Sequence, residues 1–120
     1  MKRDVRLYVA DIVENMDAAV RFVGEMTYDA FVADRRTAYA VVRCLEIVGE
    51  AAKGVPEHVR ALCPTVPWQD MAGMRDRCIH GYFGVRYETV WATVKEDIPP
   101  IRPVLKALLE RIDQGGKPGN

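Results

Sequence analysis

The hydrophobic residues of the chain recur every three or four positions, which is the spacing of α-helices that bury one face. The first run covers residues 4–26, and its predicted buried stripe is Val5, Val9 (or Tyr8), Ile12, Met16, Ala19, Val23 and Met26. The second run covers residues 34–53, and its predicted stripe is Ala38, Val41, Leu45, Val48 (or Gly49) and Ala52. Asp34 suits the N-cap of this helix and Gly54 its end. Between the two helices, we expect Phe31 to plug the end of the bundle.

The later helical runs are shorter. Prolines enclose one at residues 56–64, and others span residues 67–80, 87–97 and 101–112. Pro99 and Pro100 are expected to break the chain between the last two, because proline lacks an N–H group and clashes with the preceding turn. No alternating stretch indicates a strand, so the sequence predicts an all-α, up-and-down bundle of about five helices. Residues 1–114 form one predicted domain and residues 115–120 a flexible tail.

The helix predicted for residues 34–53 has a second face with two interpretations. Its polar positions are Tyr39, Arg43, Glu46 and Glu50. Their spacing is that of a charged face exposed to solvent. However, Ile47, Gly49 and Ala51 leave apolar or small residues around most of the helix. A helix that is apolar around most of its circumference needs more contacts than one small bundle supplies. The alternative interpretation is therefore that this face forms a dimer interface.

A dense group of polar residues follows in and after the helix at residues 67–80. Within eight positions the chain carries Arg75, Asp76, Arg77, His80 and Tyr82. Pro67 suits the first turn of this helix, with Thr65 or Val66 as its cap, and Gly81 is a usual helix stop. The polar group is thus expected at the last turn of the helix and in the turn that leaves it.

This group has residue types that suit RNA cleavage without a metal ion. A guanidinium such as that of Arg75 binds phosphate bidentately, and the imidazole of His80 moves a proton near neutral pH. Together they supply a base for the 2′-hydroxyl and a cation for the charge that develops on phosphorus. The alternative is that the spacing arises by chance and that Arg75 pairs with Asp70 or Asp76 on a solvated face.

Composition and charge exclude few classes of function. The 120 residues include 17 Lys and Arg and 17 Asp and Glu, so the net charge does not indicate nucleic acid binding. A local basic group of Arg75, Arg77 and Arg86 would have to bind RNA, and its alternative is an ordinary solvated surface. Cys44 and Cys78 have apolar neighbours and are expected to be buried thiols in a reducing cytoplasm. The spacing of the cysteines and histidines does not indicate zinc, and we expect neither a signal peptide nor a membrane span.

The polar group also resembles a known signature. The segment Arg75-Asp-Arg-Cys-Ile-His80-Gly-Tyr82 is similar to the Arg-x-x-x-x-His-x-Tyr signature of the HEPN superfamily, in its HepT-like branch. The resemblance covers residues 4–112 and includes Phe31-Val-Ala-Asp-Arg-Arg-Thr, Leu45-Glu-Ile-Val-Gly-Glu-Ala-Ala-Lys, Pro67-Trp68, Ala72-Gly-Met-Arg and Val90-Trp91. One departure is Asp76, where the family most often has Asn.

The resemblance implies a metal-independent ribonuclease toxin that acts as a homodimer and has no cofactor of its own. Its implied antitoxin is a minimal (MNT) nucleotidyltransferase, and its implied substrate is a cellular RNA, either tRNA or mRNA. Arg75 would then bind the scissile phosphate and His80 would transfer a proton, which leaves a 2′,3′-cyclic phosphate. Asp76 is expected to orient Arg75 or His80, and Arg77 to contact the RNA backbone. The rival interpretation is a non-catalytic helical adaptor, or a nucleotide-binding partner subunit of the transferase.

Tyr82 has a separate role in this family resemblance. The tyrosine of the signature is similar to the residue to which the partner enzyme adds adenylyl groups from ATP. A nucleotide two residues from His80 would block the cleft, and its phosphate would occupy Arg75. The alternative is a packing tyrosine whose hydroxyl bonds to a backbone carbonyl.

Overall fold

A computed structural model describes residues 3–79 and 84–115 of the chain. The described residues form helices α1 (Val5–Val23), α2 (Tyr28–Ala33), α3 (Arg35–Gly54), α4 (Glu57–Arg60), α5 (Trp68–Ala72), α6 (Met74–Cys78), α7 (Tyr87–Ala92) and α8 (Ile98–Asp113). A π-helical segment, Thr93–Asp97, joins α7 to α8. No strand occurs in the described part of the chain, whose one β feature is the isolated bridge between Ile79 and Val85. The predicted all-α fold is therefore confirmed.

The core lies between the two long helices α1 and α3, with α8 packed against α1. All five residues of the stripe predicted for α3 are buried, and in α1 the central positions from Val9 to Val23 are buried as predicted. Phe31 is fully buried, and its ring centroid lies 5.5 Å from that of Trp91 and 6.0 Å from that of Tyr87. The prediction that Phe31 plugs the end of the bundle is thus confirmed.

The start of α3 shows why the chain turns into a helix at this point. The carboxylate of Asp34 accepts hydrogen bonds from the backbone N–H of Thr37, at 3.1 Å, and from its hydroxyl, at 2.8 Å. Both bonds favour the ionised form, and they hold the pKa of Asp34 below its usual value. The predicted N-cap is therefore confirmed, as is the end of the helix at Gly54.

The single helix predicted for residues 67–80 is wrong. The chain forms α5 and α6, separated at Gly73, and α6 ends at Cys78. Gly73 has φ −91° and ψ 10°, outside the regular helical range, and a glycine costs the helix about 1 kcal/mol relative to alanine. The cap of α5 is Pro67, in place of the predicted Thr65 or Val66. Periodicity did not detect the break because Met71 and Met74, three positions apart, are buried on either side of it.

The predicted break at Pro99 and Pro100 is also wrong. The helical backbone continues from α7 through the π-helical segment into α8, whose first turn contains both prolines. The N–H of Ile98 bonds to the carbonyl of Thr93, five residues earlier. Proline is tolerated in a first helical turn, where no intrahelical N–H bond is required. The wider π turn therefore lets the chain enter a new helix without an intervening loop.

Other helices of the same chain cover most of the apolar circumference of α3. Val42, Cys44, Gly49 and Ala51 are all buried, although they lie outside the narrow stripe of a surface helix. The reason is that α3 contacts α1, α2, α5, α6 and α7. Of the three residues on which the dimer argument rested, Gly49 and Ala51 are buried and Ile47 is half-buried, so the chain itself covers most of this surface. Dimerisation stays a prediction. Within the described residues, no helix is long and apolar enough to cross a membrane.

Gly49 provides a test of the contact between α3 and α5. A Cβ atom at this position would lie 3.0 Å from the backbone carbonyl oxygen of Met71. We expect Gly49→Val to lower the free energy of unfolding by roughly 1–3 kcal/mol, because its methyl groups would push α5 away from α3. Urea denaturation measures this change. Gly73→Val is the control, since its Cβ would lie 3.8 Å from the nearest neighbouring atoms, the carbonyl oxygens of Asp70 and Gln69. Equal loss of stability in both variants would contradict the close contact.

Candidate functional site

Arg75 lies on α6, and its side chain pairs with a residue of another helix, α3. Its Nε is 3.1 Å from Oε2 of Glu46 on α3, an ion pair between residues 29 positions apart. The side chain of Arg75 is 62% exposed, whereas that of Glu46 is 24% exposed. The guanidinium of Arg75 is thus accessible to solvent, whereas the carboxylate of Glu46 is mostly shielded from it. The alternative in which Arg75 pairs with Asp70 or Asp76 is not what the structure shows.

Asp76 and Arg77 follow Arg75 on α6, and both are exposed. Among the described residues, the carboxylate that contacts Arg75 is that of Glu46, so the predicted orienting role of Asp76 toward Arg75 receives no support. Its predicted role toward His80 stays a prediction, because His80 lies outside the described residues.

Arg77 borders a half-open cleft of about 410 Å³ between α5, α6 and the start of α8. The same cleft is lined by the carboxylates of Asp70, Glu96 and Asp97. Three acids beside one arginine make the cleft unfavourable for a phosphate group. The predicted contact of Arg77 with the RNA backbone therefore stays a prediction, and it would require the side chain to point away from this cleft.

His80 and Tyr82, like Gly81 and Phe83, lie outside the described residues. The residues on either side are described, and they are paired. Ile79 and Val85 form an antiparallel bridge, and the backbone N–H of Arg86 donates to the carbonyl of Cys78 at 2.8 Å. Gly84 has φ +100°, a conformation that L side chains rarely adopt. The residues before and after positions 80–83, Ile79 and Val85, are consequently held next to each other, close to the C-terminal end of α6.

The cysteines are not good candidates for nucleophiles. Cys44, Cys63 and Cys78 are all buried and free, which confirms the predicted burial of the first and the last of them. Burial raises the pKa of all three thiols, and that of Cys78 to about 11. Little reactive thiolate is therefore present near neutral pH. In residues 3–79 and 84–115, no group of three or more His, Cys, Asp or Glu is placed to hold a metal ion.

Glu46 belongs to this site in the structure, but the sequence did not identify it as a site residue. It belongs to the polar face interpreted as either solvated or dimeric, and its spacing to Glu50 suggested only local charge pairs. Its one signal was its place in the segment from Leu45 to Lys53 that resembles the family, and that segment does not indicate a partner for it. Only the packing of α6 against α3 brings Arg75 within reach.

Comparison with known proteins agrees with the signature. A family model described as "Ribonuclease HepT-like" matches residues 12–108. A Methanocaldococcus jannaschii protein named as a "putative RNase" is 44% identical over 112 residues, which cover 93% of each chain. A Thermococcus cleftensis protein named "Probable ribonuclease HepT" is 45% identical over 102 residues, which cover 85% of this chain and 93% of that protein. No solved structure gave a significant match.

Proposed function

The chain belongs to the ribonuclease HepT-like family, and we propose that it is a metal-independent endoribonuclease toxin of a HEPN/MNT toxin–antitoxin pair. The observation that carries the proposal is that the family match spans the whole signature, from Arg75 to Tyr82. The exposure of Arg75 is consistent with it, because an accessible guanidinium can reach a phosphate group of RNA. The substrate would be tRNA or mRNA in the cytoplasm.

In the proposed reaction, the 2′-oxygen of the RNA attacks the adjacent phosphorus and the bond from phosphorus to the 5′-oxygen breaks. His80 makes one of the two proton transfers, taking the proton of the 2′-hydroxyl or giving a proton to the departing 5′-oxygen, and solvent water makes the other. Arg75 binds the phosphate and stabilises the negative charge that develops on its oxygens. The products are a 2′,3′-cyclic phosphate and a 5′-hydroxyl. None of these steps requires a cofactor.

The test of this proposal is RNA cleavage by the purified protein in the presence of a chelator. We expect His80→Ala to reduce the rate roughly 10²–10⁴-fold, because a positioned proton-transfer group contributes about that factor. Arg75→Ala should reduce it comparably. His58→Ala is the matched control, since His58 is the other histidine of the chain and is exposed on α4. A wild-type protein that leaves RNA intact would favour the adaptor interpretation, and equal activity of the His80 and His58 variants would contradict the assignment of His80.

We also propose that the active form is a homodimer in which two signature segments face one cleft. A 120-residue chain has a single small core, and association is a common way for such chains to gain stability. Light scattering at micromolar concentration should therefore give about twice the mass of one chain. If a monomeric fraction of the protein cleaves RNA as fast as the unfractionated protein, the proposal of a cleft shared by two subunits is contradicted.

The proposed antitoxin is an MNT nucleotidyltransferase that modifies Tyr82. The tyrosine oxygen would attack the α-phosphorus of ATP, with loss of pyrophosphate, and leave an adenylyl group on the hydroxyl. The attached phosphate would then compete with RNA for Arg75. The ATP belongs to the partner's reaction and is not a cofactor of this chain.

Co-expression with such a transferase should add adenylate mass to the wild-type chain and none to Tyr82→Phe, which lacks the acceptor oxygen. Intact-mass spectrometry measures the addition. Tyr39→Phe is the control, because Tyr39 is 53% exposed but lies within the regular helix α3. An adduct that persists on the Tyr82→Phe protein, or is lost from the Tyr39→Phe protein, would place the modification elsewhere.

A further inference from the structure

Arg75 sits on a support that cannot orient it alone. Helix α6 has only five residues and follows the break at Gly73. A helix this short has little stability of its own, because helix formation is cooperative and its first turn is costly. An exposed arginine on such a helix would also sample many rotamers, and fixing them costs conformational entropy. The orientation of Arg75 must therefore come from contacts with a more rigid element.

Helix α3 is that element. It has 20 residues and contributes nine buried residues to the interior, so its backbone is firmly placed. Gly49 is a point of close approach, because a Cβ there would lie 3.0 Å from the carbonyl oxygen of Met71 and 3.7 Å from Cβ of Met74. Glu46 lies one turn before Gly49 on the same face of the helix. The carboxylate therefore projects from a rigid helix at the place where α5 and α6 pack against it.

The geometry of the ion pair suits a supporting role. Glu46 accepts from Nε of Arg75, which is one of five N–H donors on a guanidinium. A carboxylate on Nε leaves the two terminal nitrogens as donors for a second anion, and a phosphate takes such a pair of donors bidentately. The charge of Glu46 also reaches the end of α6, since it adds to the rise in the pKa of Cys78 that burial mainly causes.

We infer that Glu46 is the positioning residue for Arg75, holding the guanidinium through Nε so that its terminal nitrogens face the scissile phosphate. This inference rests on the proposed ribonuclease function and assigns to it a residue outside the signature. Because an exposed ion pair contributes little to stability, the effect of Glu46 should appear in the reaction and not in folding. Its negative charge also opposes RNA binding, so its removal should not weaken the affinity for substrate.

Three variants separate these effects. Glu46→Ala removes the acceptor and should lower kcat for RNA on the order of 10–100-fold, because misplacing a reacting group by about 1 Å has an effect of that size. Its KM should stay within about threefold of wild type or fall, since RNA binding is spread over several phosphate contacts. Glu46→Gln keeps an oxygen that accepts from Nε and should restore kcat to within about threefold to tenfold of wild type, the neutral bond being weaker. Glu50→Ala is the control, because Glu50 is exposed one turn later and pairs with Lys53.

A readout independent of cleavage follows the ion pair itself. In an NMR spectrum of side-chain N–H groups, the Nε–H signal of Arg75, assigned with Arg75→Lys, should exchange with water more slowly in wild type and Glu46→Gln than in Glu46→Ala. The thermal midpoints of all variants should agree within about 5 °C, as expected for a surface ion pair. A large drop in the midpoint of Glu46→Ala would show a structural role and overturn the inference.

The outcomes distinguish the inference from the function on which it rests. If wild type cleaves RNA and Glu46→Ala has the same kcat, the positioning role is wrong and the ribonuclease proposal stands. If kcat falls equally in Glu46→Ala and Glu46→Gln, the charge and not the hydrogen bond matters, and the inference is again wrong. If wild type leaves RNA intact while the Nε–H signal behaves as expected, the ribonuclease proposal fails and the catalytic role of Glu46 fails with it.

Discussion

The close contact between α3 and the α5–α6 pair is the constraint on which the candidate site depends. A backbone carbonyl of α5 lies so near to Gly49 that a Cβ at this position would be only 3.0 Å from it. Glycine inside a helix costs about 1 kcal/mol relative to alanine. Here the cost is offset by an approach that a larger residue would prevent. The absent side chain lets two short helices, with little stability of their own, take a defined position on a long one.

This arrangement places three charged residues at the surface on a buried support. Three consecutive residues of α6, Arg75 to Arg77, are exposed, whereas Met74 and Cys78 on either side are buried against the core. The short helix is therefore anchored at both ends and open in the middle. After α6, an antiparallel bridge holds Ile79 next to Val85.

The prolines near the end of the chain show a similar compromise. Pro99 and Pro100 would disrupt the interior of a helix, but in the first turn of α8 their missing N–H groups cost nothing. The π-helical segment before them shifts the register of the hydrogen bonds by one residue. Val90, Val94 and Ile98 are all buried, and the backbone stays helical across all three.

Local sequence determined the parts of this protein that depend on residues close together in the chain. The long helices α1 and α3, their buried stripes and the Asp34 cap follow from periodicity and from one side chain bonding to nearby N–H groups. The residues from Arg75 to Tyr82 resemble a family signature that can be read directly from the sequence. Only the tertiary structure decided where the helices cross and which distant groups meet. The break at Gly73, the cover over the apolar sides of α3 and the pairing of Arg75 with Glu46 all arise because α5 and α6 pack on α3. No local pattern records that contact, since its energy comes from residues more than twenty positions apart.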